Sequence, residues 1–525
     1  MLSYPQIGRW VLLRIGVKHK RGIRIQTRII ISALLIILQM AFLYLLLYNI
    51  YNVSSWLYML QQIAGIVMTV YLLNRRGNPS YNTAWIIFIL IFPIFGISVY
   101  LLWGGGRVMP HLKKKMTAID SRYHALLPDD RSVHEDMHVF DNSHARQADY
   151  LTRESGLPLY ENSTVEYLSP GEKFLPRFIE ELEGAKKYIF LEFFIIAEGK
   201  MWEAVFEVLK RKAAEGLDVR VMFDDFGSIK RQRKDFIKRL QNSGIKVAIF
   251  NKIKPSLNMF VNNRNHRKIV IIDGKTAATG GLNLADEYIN QFKRFGYWLD
   301  CAAIIKGEAV TSFLAMFCSM WEFTTGEKTE MRTLIPDSFE TVGEGFVLPY
   351  CDGPLDNRDP AEGIYMRIIS GARKYVYIVS PYLIIDDTMK QVLKMAAKSG
   401  IDVKIITPGI PDKWYVHPVT QYNYPELLES GVKIFEYTPG FIHSKLFVSD
   451  DCVATVGTVN MDYRSFVLHF ECGVWMAGNG AVGDIKEHFE NTLKECKEIT
   501  LETWHKKPKM QRFKCWLLHI FAPFM

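Results

Sequence analysis

The feature that most restricts the fold is an internal duplication. GAKKYIFLEFFI at 184–195 is answered by GARKYVYIVSPY at 371–382, GLDVRVMF at 216–223 by GIDVKIIT at 400–407, and SGIKVAIF at 243–250 by SGVKIFEY at 430–437. The matched pairs keep their order and spacing, and each reads as a helix end or turn feeding a short buried strand. Short apolar strands alternating with helix-length amphipathic stretches are the pattern of an α/β fold. Two copies therefore predict two similar α/β domains, over 155–325 and 345–505, with 325–345 as connector, and too few repeats for a solenoid.

Each copy then reaches its most chemical line. The first is NHRKIVIIDGKTAATGGLNLADEY, with His266, Lys268 and Asp273; the second is IHSKLFVSDDCVATVGTVNMDYRS, with His443, Lys445 and Asp450. Both spell H-x-K-x4-D, and both lead through a glycine turn to an asparagine, Gly280-Gly281 to Asn283 and Gly457-Thr458 to Asn460. One such pattern in a long chain is weak evidence, but recurrence at equivalent places makes it strong. Residues two apart on a strand share a face, so each copy offers one imidazole and one ammonium to a common surface. If the domains pack about a pseudo-twofold axis, two His, two Lys and two Asn meet at one site.

That set suits a phosphodiester. Lys268 and Lys445, with amide donors from Asn283 and Asn460, can hold the non-bridging oxygens and offset charge in the transition state. One histidine can attack phosphorus while the other moves protons. No metal or other cofactor is needed, because the lysines supply the positive charge, and neither histidine sits in a zinc-ligand spacing. A nucleophilic imidazole needs an acceptor for its other N–H, and Asp300 in GYWLD and Glu471 in HFE are the candidates. Asp273 and Asp450, counted with the catalytic motif, lie an odd number of residues from their histidines, which suits anchoring of the turn. His134, His138 and His144 read as exposed. Seven scattered cysteines exclude a disulfide framework.

The N-terminus is of another kind. The chain carries a net charge of +9, and residues 1 to 76 hold nine Lys/Arg and no Asp or Glu, so the remainder is neutral and a general nucleic-acid binder is disfavoured. After the basic arm 1–28 come 46 uncharged residues, Ile29 to Asn74, and 30 more from Gly77 to Gly106. Within the region 29–106, transmembrane helices are expected at about 29–50, 57–73 and 84–103, the last with Pro93 and Gly96 inside it. The basic arm places the N-terminus inside by the positive-inside rule, which puts the body outside after three spans, whereas Arg107 and Lys113–Lys115 favour the body inside. Residues 107–154, polar and rich in charge, read as a linker. The tail 506–525 ends in KCWLLHIFAPFM, too short to span, and either lies on the lipid surface or packs on the body.

The paired H-x-K-x4-D motifs resemble the phospholipase D superfamily. RNHRKIVIIDGK, TGGLNLADEY, GTVNMDYRS and the run AWIIFILIFPIFGISVYLLWG are similar to the membrane-anchored bacterial cardiolipin synthases within it, from about residue 57 onward. The resemblance implies two phospholipase D-like domains at a bacterial plasma membrane. It implies transfer of a phosphatidyl group from one phosphatidylglycerol to another with release of glycerol, through a phosphohistidine. It also implies His266 as nucleophile and His443 as acid/base, a choice that the symmetry of the sequence leaves open. The sequence departs from that family in its extra span at 29–50 and in HFE at 469–471, where NFE is more usual. Hydrolysis, with water as acceptor, and an inert membrane scaffold are the competing readings; both motifs are intact, which disfavours the scaffold.

Overall fold

The computed structural model describes Ile37, Ala41 and residues 55–75, 79–104, 110–128, 130–253, 262–339, 343–355 and 358–525. Residues 108–252 and 260–525 form one unit, and the helices before 107 belong to another.

The larger unit holds two mixed sheets of matching design. The first runs in spatial order Ser163–Leu168, Ala302–Gly307, Thr276–Gly280, Ile269–Ile272, Tyr188–Phe193, Asp218–Asp224, Lys246–Phe250. The second runs Phe346–Asp352, His469–Ala477, Val453–Gly457, Leu446–Ser449, Tyr375–Val379, Asp402–Pro408, Lys433–Tyr437, with Cys496–Ile499 added at its edge. Strand for strand the orders coincide, so the duplication seen in sequence is a duplication of topology.

Both faces of each sheet are covered, which explains why its strands read as unbroken apolar runs. Ile189, Leu191 and Phe193 pack beneath the helices Gly171–Glu183 and Lys200–Ala214, while Tyr188 and Phe190 face the opposite way into a core shared by both domains. Val376 and Ile378 against Tyr375, Tyr377 and Val379 repeat that alternation in the second sheet. The helix Val310–Thr325 lies in the shared core with every residue from Val310 to Phe323 buried, as its all-round apolar sequence requires.

The stretch expected to be a linker is folded helix. Pro110–His124, Arg131–Phe140 and Asn142–Ser155 pack on the body, with Arg122 2.7 Å and the Tyr123 hydroxyl 2.9 Å from the Glu322 carboxylate. Met137, Ala145, Ala148 and Leu151 enter the core of the second domain, and His144, expected to be exposed, is buried there. Polar composition concealed a narrow apolar stripe. His138 is exposed as expected and His134 half-buried, the two flanking Asp149 at 2.9 Å each.

In the N-terminal unit, Ser55–Leu73 is a helix of 19 residues where the span at 57–73 was expected. The span expected at 84–103 is not one helix. Pro79–Ile91 stops at Phe92, whose φ of −131° and ψ of 72° are not helical, and a second helix, Pro93–Val99, folds back. Pro93 has no N–H to continue the ladder. Gly96 passes so close to Ile89 that a Cβ would stand 2.8 Å from the Ile89 Cα. The return brings Tyr100 to 5.3 Å from the Trp85 ring, two positions that a straight helix would hold about 22 Å apart. Among the described residues no helix is long and apolar enough to cross a membrane. The span at 29–50 lies outside them apart from Ile37 and Ala41.

Candidate active site

The two motif histidines sit where each domain lends a short strand to the other. Arg264–Asn265 leaves its own sheet and pairs, parallel, with the start of His469–Ala477, and the His266 N–H donates to the Phe470 carbonyl at 2.9 Å. In the mirror arrangement Gly440–Ile442 pairs with Tyr297–Leu299, and the His443 N–H donates to the Leu299 carbonyl at 2.7 Å. Asp224, at the end of its strand, fixes the first crossing by accepting the Asn265 N–H at 3.0 Å. His266 and Lys268 thus lie in extended chain just ahead of their strand rather than within it.

The crossing decides which carboxylate meets which imidazole. His266 Nδ1 lies 2.9 Å from both oxygens of Glu471, and His443 Nδ1 lies 2.6 Å from Asp300 Oδ2. Along the chain Asp300 follows the first motif, 34 residues beyond His266, and Glu471 follows the second, 28 beyond His443. The pairs are exchanged: each histidine is served by the carboxylate of the other domain, because the crossing strand before each histidine pairs with the residues just ahead of the other domain's carboxylate, His469–Phe470 and Tyr297–Leu299. Both carboxylates are fully buried.

Lys268 and Lys445 are buried beside them, each donating to the carbonyl of its own motif histidine, Lys268 at 2.6 Å. Asn283 is held by the fold at both ends of its amide, accepting the Ile195 N–H at 2.9 Å and donating to the Tyr288 hydroxyl at 2.7 Å. Asn460 donates to Ser465 Oγ at 3.1 Å and leaves its Oδ1 buried and unbonded. A role for either asparagine at phosphate is therefore a proposal that requires exchange of, or addition to, these bonds.

Asp273 and Asp450 do something else, and do it identically. Each has a positive φ, 53° and 55°, at the turn after its motif strand. Asp273 accepts the N–H groups of Lys186, Lys187 and Tyr188 at 2.7–2.8 Å, and Asp450 those of Arg373, Lys374 and Tyr375 at 2.7–2.9 Å. Three otherwise unmatched amides at a strand entrance are satisfied by one carboxylate, an anchoring task. The geometry gives them no contact with either imidazole.

Several site residues were not found from sequence. The Thr458 hydroxyl donates to Glu471, while at the matching place in the first domain Gly281 leaves room for Asp300; a Cβ there would lie 2.0 Å from Asp300 Oδ1. An aromatic ring stands beside each motif histidine, Trp298 at 5.3 Å from His443 and His469 at 5.5 Å from His266. Both rings come two residues before the orienting carboxylate, and the unusual HFE was the only signal of this. His266, His469 and Glu471 place ligand atoms within 4.8 Å of one another, the one group among the described residues that could hold a metal ion. The carboxylate in that trio already accepts from the His266 Nδ1–H and the Thr458 hydroxyl, which accounts for its position without an ion.

Burial shapes the electrostatics. It pushes His266 down to about 3 and His443 to about 4, so both imidazoles are neutral, with the Nδ1 proton toward a carboxylate and Nε2 carrying a free lone pair. Glu471 is held below the carboxylate range, against its burial, by its contact with His266, and Asp300 likewise by His443 and Lys445. Burial also lowers Lys268 to about 7 and Lys445 to about 8, and each feels the charges of the other domain. The result is two oriented imidazoles beside two lysines whose charges act on one another across the domains, an arrangement that favours an anion.

Comparisons with known proteins agree on this architecture. The family profile described as cardiolipin synthase, phospholipase D-like domain matches residues 178–321 and 365–493, and a phospholipase D-nuclease N-terminal profile matches 63–105. An uncharacterized protein of Streptococcus mutans is 41% identical over 87% of this chain and 99% of its own length. Cardiolipin synthase 2 of Bacillus anthracis is 34% identical over 83% of this chain and 85% of its own. Among solved structures, a phosphatidylserine synthase of Haemophilus influenzae superposes with a TM-score of 0.53 at 16% identity, covering 72% of this chain and 98% of that one, a likeness of fold.

Proposed function

The chain belongs to the cardiolipin synthase family of phospholipase D-like proteins, and on that premise we propose that it joins two phosphatidylglycerol molecules into cardiolipin and glycerol. The observation that carries the chemistry is the exchanged pairing of His266 with Glu471 and His443 with Asp300. It holds both imidazoles through Nδ1, which leaves Nε2 of His266 to attack and Nε2 of His443 to carry and return a proton.

In the first step His266 Nε2 attacks phosphorus of the donor lipid. The P–O bond to glycerol breaks, and the departing oxygen takes a proton from His443 Nε2. Lys268 and Lys445 bind the non-bridging oxygens, whose charge grows in the transition state. Asn283 and Asn460 assist once their amides turn to the substrate. The second lipid then gives the proton of its free glycerol hydroxyl to His443, its oxygen attacks phosphorus, the P–N bond breaks and His266 is regenerated. Two phosphodiesters enter, one diphosphatidyl product and one glycerol leave, and no proton is gained or lost.

The residues before 104, with their basic arm and uncharged runs, attach the enzyme to the cell membrane that holds its substrate. Purified full-length protein given labelled phosphatidylglycerol is expected to yield cardiolipin and glycerol in equal amounts, in EDTA and without a cytidine-activated lipid. Phosphatidic acid as sole product would replace the transferase by a hydrolase.

The pH dependence has a definite sign. In the empty site the lysines lose protons as pH rises through about 7 and 8, and His443 is neutral. The lipid anion binds best to charged lysines and needs a proton on His443, so binding takes up protons. Apparent KM is therefore expected to rise by about tenfold or more between about pH 6 and pH 9. A KM flat over that range would contradict the charge states assigned to the site.

A further inference from the structure

The C-terminal segment packs on the body, the second of the two arrangements its sequence allows, by one face alone. One face of the helix Lys509–His519 packs on the second domain, with Cys515 buried and His519 stacked 3.9 Å from Tyr422. Beyond it Ala522 joins Ile384, Val416, Val419 and Tyr463 in a small core, and Arg464 donates to the Phe524 carbonyl at 3.2 Å. The opposite face is apolar too, and no described residue covers it. Met510, Phe513, Trp516, Leu517 and Phe521 follow helical spacing and are 75%, 52%, 53%, 43% and 47% exposed, and Trp414 of the neighbouring loop is 69% exposed. Contiguous exposure of this kind marks an interaction surface.

We propose that this face docks on an anionic lipid surface. Residues 509–525 carry Lys509, Arg512 and Lys514 and no acidic residue, and the Lys514 ammonium lies 5.0 Å over the Trp414 ring. Aromatic side chains that settle at the headgroup level, among cations that meet lipid phosphates, are what an interfacial helix presents. The helix advances about 16 Å, half a hydrocarbon core, so it lies along the surface and does not cross. A second copy of the chain is the poorer occupant, because a two-fold contact would set the same cations against each other. Docking here has a consequence for the site. Tyr463 and Arg464, which hold the tail, begin the short helix Tyr463–Val467, whose Ser465 binds the Asn460 amide at 3.1 Å. A docked tail therefore sets one wall of the active site against the membrane that supplies its substrate.

This inference builds on the reading of the protein as a lipid enzyme, yet its test needs no turnover. Hydrogen exchange of the full chain would be followed in vesicles of phosphatidylcholine alone and of phosphatidylcholine with phosphatidylglycerol. Amides of 511–521 are expected to exchange about tenfold or more slowly with the anionic lipid, the factor that about 1.4 kcal/mol of docking provides. Phe513→Glu with Trp516→Glu should erase the difference while His469–Ala477 keeps its protection, which certifies the fold. Equal exchange in both vesicles would overturn the proposal, as would protection that fades on dilution of protein at fixed lipid, since a second copy would then be the cover. A protein that hydrolyses lipid instead of joining it would still be expected to show the protection.

Discussion

His443→Ala, given a phosphatidyl ester of p-nitrophenol, is expected to release one equivalent of p-nitrophenol per site and then stall with the phosphatidyl group on His266. The reasoning is in the leaving group. Glycerol leaves as a strongly basic oxygen and needs the His443 proton, so with phosphatidylglycerol the variant should lose about 10²- to 10⁴-fold in both half-reactions and accumulate little. Nitrophenolate needs no proton, so formation of the phosphoenzyme survives, while breakdown still lacks the base that takes the proton from the incoming hydroxyl. His266→Ala, with no nucleophile, should give neither burst nor labelled protein. The measurement is pre-steady-state absorbance with mass spectrometry of the peptide containing residue 266. A burst confined to His266→Ala would reverse the two roles, and equal bursts in both variants would end the assignment altogether.

Much of this arrangement is legible in the amino-acid sequence, and what escapes does so for a physical reason. The duplication could be read because strands covered on both faces are written as uninterrupted apolar runs, and two such sets keep a common order. The motif residues could be read because the same chemistry recurs in both copies. The partner of each histidine could not, since chain offset carries no information about a strand of two residues, Arg264–Asn265, that abandons its sheet for the neighbour's. Residues 110–155 misled because helices with one narrow apolar stripe have the composition of a linker; the spacing of Ala145, Ala148 and Leu151 was the signal. The segment 79–104 misled in the opposite way. Its composition is that of a span, but Pro93 and Gly96 together turn it back on itself, and hydropathy averages over both.

The exchanged pairing makes the second large prediction, because it assigns each carboxylate to a step owned by the other domain. Glu471→Gln is expected to cripple His266, and Asp300→Asn to cripple His443. A carboxylate keeps the proton on Nδ1, so that Nε2 offers its lone pair, and it stabilises the charge that the ring acquires. An amide that turns its NH₂ toward Nδ1 imposes the other tautomer, with Nε2 protonated and unable to attack, and losses of up to about 10⁴ follow from such a change. With the nitrophenyl donor, Glu471→Gln should therefore show a burst slowed by orders of magnitude, whereas Asp300→Asn should show a near-normal burst and slow breakdown, the signature of His443→Ala. The reverse pattern would mean that each carboxylate serves the histidine of its own repeat. Thr458→Val supplies a graded control: it deletes one donor to Glu471 and leaves the His266 bonds in place, so it should slow the burst by less than Glu471→Gln and leave breakdown unchanged. A defect of general packing would slow both phases together in all three variants, and the division between phases is what a crossed pair of positioning carboxylates requires.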